Sequence, residues 1–195
     1  MSAVRQGLLL AGGRSLRMGR DKAFLPWSDK PLWQWQAELL LRAGVRKWAV
    51  SCRREQGLAG AAAAWSEENG VAFEAVHDPE GGGGMLEAIE LGMQRLGERA
   101  LVLSVDMPQV RVELIEELWG AAESSDGGVL LLGEHGPEPF PGIYSPEMLR
   151  ALVGGAALRA GLERCVADGL ARGIEIEKAL EPFLANWNHP EDVAD

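Results

Sequence analysis

Residues Leu9 to Lys22 read Leu-Leu-Ala-Gly-Gly-Arg-Ser-Leu-Arg-Met-Gly-Arg-Asp-Lys: a short apolar run that breaks into paired glycines, then arginines, then an Asp-Lys pair. Gly12 and Gly13 remove two side chains where a strand ends, so backbone N–H groups can approach a ligand closely. Arg14, Arg17, Arg20 and Lys22 bring four positive charges into nine residues, offset by Asp21, in a chain whose net charge is −10. A loop of this kind suits a polyphosphate. It is not a Walker loop, because Gly13 and Gly19 are too far apart and Lys22 stands three residues later. The dinucleotide fingerprint Gly-x-Gly-x-x-Gly is absent as well.

Two further places carry acidic chemistry. Ser104-Val105-Asp106-Met107-Pro108 puts a carboxylate at the end of an apolar run with a proline two residues on. Such a carboxylate can bind Mg²⁺ together with substrate phosphates, since magnesium takes one or two protein carboxylates and keeps several waters; an Asp that caps the next helix is the competing reading. Asp78-Pro79, followed by Gly81–Gly84, is either a solvated turn or a second acidic contact. Cys52 and Cys165 lack Cys-x-x-Cys or metal-ligand spacing and read as free thiols of a reducing cytoplasm.

The elements that must position these residues follow a simple alternation. Short apolar runs at Gln6–Ala11, Trp48–Cys52, Phe73–His77, Ala100–Val105 and Val129–Leu132 are separated by segments of helical period. Leu32, Trp35, Leu39 and Leu40 share one helical face, as do Leu86, Ile89 and Met93, then Leu114, Ile115 and Leu118. The pattern predicts βαβ units and a mainly parallel sheet covered by helices. Pro31 suits a first helical turn and Gly44 a helix stop. An alanine-rich helix is expected at Leu58–Glu68, further helices at Pro146–Val153 and Leu158–Asp168, and a strand at Ile174–Glu177. In open sheets of this type ligands sit beyond the carboxyl ends of the strands, where the glycine loop, Asp78 and Asp106 all fall. Pro139–Tyr144 reads as a Pro-interrupted edge strand. Six of the seven tryptophans read as packing; Trp187 is set apart because it lies between Asn186 and Asn188.

At 195 residues, with 47% hydrophobic and 25% charged residues, the chain has the length and balance of one soluble globular domain spanning 1–195. The N-terminal apolar run is too brief for a signal-peptide core, so a cytoplasmic protein with no membrane association is expected. The acidic balance and the lack of a basic stripe argue against a nucleic-acid partner. A small phosphorylated substrate is compatible with it, because a local basic cleft focuses the field whatever the total charge.

Leu10 through Lys22 closely resembles the signature Leu-Ala-Gly-Gly-x-Ser-x-Arg-Met-Gly-x-Asp-Lys of the nucleotidyltransferases, in particular the molybdenum cofactor guanylyltransferases of MobA type, and fills every fixed position. Asp106-Met107-Pro108 matches the family's Asp-x-Pro; Pro139–Tyr144 looks like its Pro-Leu-x-x-x-Tyr strand, and Asn186–Asp192 like its Asn-x-Asn-Thr-Pro-Glu-Asp. The chain departs from the family at Ser51-Cys52-Arg53-Arg54, where an Asn-Arg pair is frequent, and at Gly81–Gly84, which replaces a Gly-Pro-Leu-x-Gly loop. The resemblance implies a Rossmann-like, mostly parallel sheet with helices on both faces, like the nucleotide-diphospho-sugar transferases. It also implies transfer of GMP from Mg-GTP to the terminal phosphate of molybdopterin, with release of pyrophosphate.

By the same resemblance, Leu10, Ala11, Gly12, Gly13, Lys22, Asp78 and Asp106 bind the nucleotide, Lys22 and Arg17 pair with phosphate oxygens, and Asp106 holds Mg²⁺. Asn186, Asn188 and Tyr144 fall on the acceptor side. Partners would be GTP, molybdopterin and, transiently, the proteins that supply molybdopterin or take the product. A cytidylyltransferase for the same pterin, a guanylyltransferase for another phosphorylated acceptor and a non-catalytic nucleotide-binding module remain open; Gly12 favours guanine on the expectation that a missing methyl makes room for the purine.

Overall fold

A computed structural model describes residues 4–13, 21–79, 84–152 and 157–187. The chain runs through β1 (Gln6–Leu10), a short hairpin of β2 (Pro26–Trp27) and β3 (Lys30–Pro31), α1 (Leu32–Arg42), β4 (Lys47–Cys52), α2 (Leu58–Glu68), β5 (Ala72–His77) and α3 (Met85–Leu96). It continues through β6 (Ala100–Ser104), α4 (Val112–Ala122), β7 (Gly128–Gly133), β8 (Gly136–Tyr144), α5 (Pro146–Leu152), α6 (Leu158–Ala167) and β9 (Ala171–Glu175). Seven strands form one sheet in the order β5-β4-β1-β6-β8-β7-β9, and β8 alone runs against the others.

The amino-terminal half behaves as the apolar alternation predicts. β1, β4 and β6 are almost wholly buried, as strands covered on both faces must be. Consecutive residues of a strand point to opposite faces, and β1 shows which helix lies on which. A side chain at Gly7 would meet Leu40 of α1, whereas Leu8 fills the space against Gly92 of α3. Helices α1 and α3 therefore cover opposite faces. Gly44, with φ +80°, follows α1 as its stop. Pro31 is the N-cap residue of α1. No helix of the described residues is long and apolar enough to cross a membrane.

Two elements depart from expectation. Pro139–Tyr144 belongs to β8, an interior strand between β6 and β7. Prolines are tolerated there because β6 pairs with β8 only at Gly142, Ile143 and Tyr144, while Pro139 and Pro141 fall where the β7 register shifts. The last strand starts three residues earlier than expected, at Ala171. It pairs with β7 from Gly128 to Leu132, and Gly173 packs against Leu132.

Both cysteines are buried and reduced. Burial, aided by the Asp78 carboxylate, pushes the Cys52 thiol from its ordinary 9.0 up to about 11. Between those values the unfolded chain has lost a proton that the folded chain keeps, so this stabilisation is complete below pH 9.0 and lost as pH rises to about 11. Burial also raises the Cys165 thiol and the Tyr144 phenol. Denaturant midpoints should accordingly stay level to about pH 9 and then fall, and less steeply in Cys52→Ala. Equal slopes in the two chains would show that Cys52 contributes nothing.

Candidate active site

The registers bring four strand ends to one edge. The Ala11 N–H donates to Ser51 O (2.9 Å), Val105 N–H to Leu10 O (3.0 Å) and Asp78 N–H to Cys52 O (3.0 Å). The chain moves outward from β1 to β4 and β5, then crosses back to β6 on the other flank of β1. Such a reversal opens a crevice beyond the carboxyl ends of the two central strands. Residues following β1 and β6 meet there.

Lys22 and Asp106 are the pair that meets. Lys22 Nζ stands 2.9 Å from Asp106 Oδ2, with side-chain exposures of 15% and 18%. Lys22 begins a 3₁₀ turn, Lys22–Phe24, whose N-cap is Asp21: Asp21 Oδ1 accepts from Ala23 N–H at 3.1 Å. Asp106 is fixed from several sides. Ser104 Oγ donates to Asp106 Oδ1 (2.6 Å), and Trp187 N–H donates to the Asp106 carbonyl (2.7 Å). From α1, Trp35 Nε1 donates to Pro108 O (3.0 Å) and Gln36 Nε2 to Met107 O (2.7 Å). Asp106 is a hard oxygen ligand already facing an ammonium, so its position favours a cation. Among the described residues no cluster of three or more His, Cys, Asp or Glu could hold a metal alone. One carboxylate beside the glycine loop fits a divalent cation of the Mg²⁺ kind, which takes few protein ligands and fills the rest of its shell with other oxygens.

Asp78 forms the other flank. Ser51 Oγ donates to Asp78 Oδ1 (2.6 Å). A methyl group at Gly12 would overlap the Asp78 carboxylate, so glycine is required because Asp78 approaches the backbone. The expectation that the missing methyl clears space for a purine is thereby corrected: Asp78 occupies that space. Gly12→Ala should displace Asp78, break the Ser51 bond and destabilise the fold by about 1–3 kcal/mol. Thermal melts should show the loss relieved in Gly12→Ala/Asp78→Ala. An unrelieved loss would mean that the methyl strains something else.

The other expected site residues divide. Leu10, Ala11 and Gly13 lie on the same edge as Lys22, at the end of β1 and just beyond it. Asn186 is exposed and immediately precedes Trp187, whose backbone joins the Asp106 loop. Arg17 and Asn188 lie outside the described residues. Tyr144 is not in the crevice: it pairs with Ala100 at the opposite end of β6, is fully buried, and donates its hydroxyl to Pro139 O (3.0 Å). Trp187 is also buried, 4.9 Å edge-on from Trp27, so its side chain packs like the other tryptophans while its amide serves the site. Ser51, Arg53, Gln56 and Ser104 escaped sequence reasoning. Their one signal was position, since each ends or follows a strand that abuts the glycine loop.

A doubly wound sheet with a glycine loop, a lysine and a carboxylate at its switch point defines a nucleotide-handling α/β protein. The chain matches the MobA-like NTP transferase domain over residues 7–172 and belongs to that family of nucleotidyltransferases. It is 30% identical to a probable molybdenum cofactor guanylyltransferase of Opitutus terrae, over 95% of this chain and 91% of the relative. Two solved structures share the fold: a nucleotidyl transferase from Methanothermobacter, with a TM-score of 0.73 and 22% identity over 98% of this chain and 94% of that one; and molybdopterin-guanine dinucleotide biosynthesis protein A from Archaeoglobus fulgidus, with a TM-score of 0.68 and 22% identity over 96% and 94%.

Proposed function

We propose that the chain transfers GMP from Mg-GTP to the terminal phosphate of molybdopterin, giving the guanine dinucleotide cofactor and pyrophosphate. The observation that carries this reading is the Lys22–Asp106 pair at the junction of β1 and β6, together with the names of the relatives. A phosphate oxygen of the acceptor attacks the α-phosphorus as the bond to the β-phosphate breaks. The acceptor is already anionic, so no covalent enzyme intermediate is needed; alignment and charge neutralisation suffice.

The residues take their roles from position and chemistry. Lys22 exchanges Asp106 for phosphate oxygens as negative charge builds on the leaving pyrophosphate, and Arg17 joins it there. Gly12 and Gly13 supply backbone N–H groups, with Leu10 and Ala11 at the base of the loop; Asp78 holds the nucleoside, and Asn186 and Asn188 the acceptor. Asp106 is the residue that would hold Mg²⁺, which when bound supplies positive charge to the nucleotide phosphates. The net charge of −10 disfavours a nucleic-acid partner. The product is handed on in the cytoplasm, by transient contact with proteins of the same cofactor route.

The test is transfer of α-labelled nucleotide by the purified protein with Mg²⁺ and molybdopterin under anaerobic conditions. Label should move from GTP and not from CTP. Transfer from CTP alone would make the chain a cytidylyltransferase, and nucleotide binding without transfer would assign another phosphorylated acceptor or a non-catalytic role.

A further inference from the structure

The turn that follows β4 grips both ends of the phosphate loop. Arg53 Nη1 donates to Gly12 O (2.8 Å) and Gly13 O (2.7 Å), while its Nη2 pairs with Asp21 Oδ2 (2.7 Å). Gln56 completes the clasp: its Nε2 donates to Ala11 O (3.0 Å) and to Asp21 Oδ1 (3.0 Å), and its Oε1 accepts from the Arg53 N–H (3.1 Å). Ala11–Gly13 opens the loop and Asp21 closes it, so one short turn sets the distance between its ends. Arg53 is only 21% exposed in its side chain.

Peptide planarity converts this grip into an orientation. The C=O of one residue and the N–H of the next are antiparallel within a trans peptide. Because Gly12 O faces Arg53, the Gly13 N–H is turned away from it; because Ala11 O faces Gln56, the Gly12 N–H is turned away as well. Two successive amides are thus aimed off the same side of the loop, the arrangement of an anion-binding nest. Asp21, held by Arg53 and Gln56, caps the turn that carries Lys22.

The geometry points to Arg53 as a positioning residue for the nucleotide: it pre-sets the Gly12 and Gly13 amides and the Lys22 turn without touching the phosphates. This rests on the reading of the loop as the nucleotide site. The task suits an arginine, because two nitrogens set apart in one rigid plane reach the carbonyls on one side and the carboxylate on the other, which a single ammonium nitrogen does not reproduce. Loss of the clasp leaves the Gly12 and Gly13 amides and the Lys22 turn to be set during binding, which weakens affinity and KM more than turnover.

Binding of Mg-GTP and Mg-CTP is measured by calorimetry, alongside transfer kinetics, for wild type, Arg53→Ala, Arg53→Lys and Gln56→Ala. For the nucleotide that wild type binds, Arg53→Ala should raise Kd and KM by about tenfold and change kcat by less than about threefold. Arg53→Lys should not restore affinity, whereas millimolar ethylguanidinium added to Arg53→Ala should. Gln56→Ala should shift Kd in the same direction by a smaller factor, and it decides the matter if Arg53→Ala fails to fold. Wild-type affinity in a folded Arg53→Ala, or in Gln56→Ala where that variant stands alone, overturns the inference. So does full function in Arg53→Lys. Nucleotide binding by wild type without transfer to molybdopterin would instead overturn the proposed reaction and leave the positioning role standing. A wild-type chain that binds neither nucleotide overturns both.

Discussion

Asp106→Asn should lower turnover by about a hundredfold or more while leaving the protein folded, because charge stabilisation at a transferring phosphoryl group is worth several kcal/mol. The substitution is nearly isosteric, and its neighbours are undemanding. The Trp187 bond goes to the backbone carbonyl, and Ser104 can still donate to an amide oxygen. What disappears is the negative charge beside Lys22. The two effects separate in an experiment. Turnover and the response to Mg²⁺ should collapse, whereas metal-free nucleotide binding should hold or tighten, since Asp106 no longer competes with phosphate for the ammonium. Steady-state rates over a magnesium titration, with calorimetry in chelator, measure both. Turnover close to that of wild type would remove Asp106 from the metal assignment.

Lys22→Ala should show the complementary pattern, with kcat/KM down by about tenfold to a hundredfold, the scale of a lost charge-assisted hydrogen bond. Here the nucleotide affinity itself must fall, because an ammonium that meets phosphate in both the ground and transition states contributes to KM as well as kcat. The Asp106 carboxylate, 18% exposed, is left facing no ammonium. Its hold on a free divalent cation should therefore strengthen, which a Mn²⁺ titration without nucleotide would register. Unchanged nucleotide binding would show that the loop does not hold the triphosphate.

Much of the fold was legible because its signals are local. The buried runs of β1, β4, β6 and β7, the half-buried β5 and the apolar faces of α1, α3 and α4 follow from periodicity, and α2 lies where the alanine-rich segment placed it. β8 was misread because Pro139 and Pro141, two prolines within the segment Pro139–Tyr144, suggest an edge. Its neighbours spare it because the ladder skips Pro139 and Pro141, a fact of register that no local pattern carries. The same division holds at the site. Gly12, Gly13, Lys22 and Asp106 stand out by type and spacing, but the true partner of Gly12 is Asp78, and the reason for that glycine appears only when β5 lies beside β4 and β4 beside β1. Arg53 looked like part of a departure from a motif, and Gln56 drew no reading at all. They act across the sheet, on backbone atoms that have no signature in a sequence.

The bond from the Trp187 amide to the Asp106 carbonyl has a bearing on how the protein is made. β1, β4, β5 and β6, with their helices, can pair while the ribosome is still working on the rest of the chain. The carboxylate loop, by contrast, waits for its last brace until residue 187 has left the exit tunnel. A growing polypeptide that already holds β1 and β6 therefore presents Asp106 without this brace until the Trp187 segment has emerged.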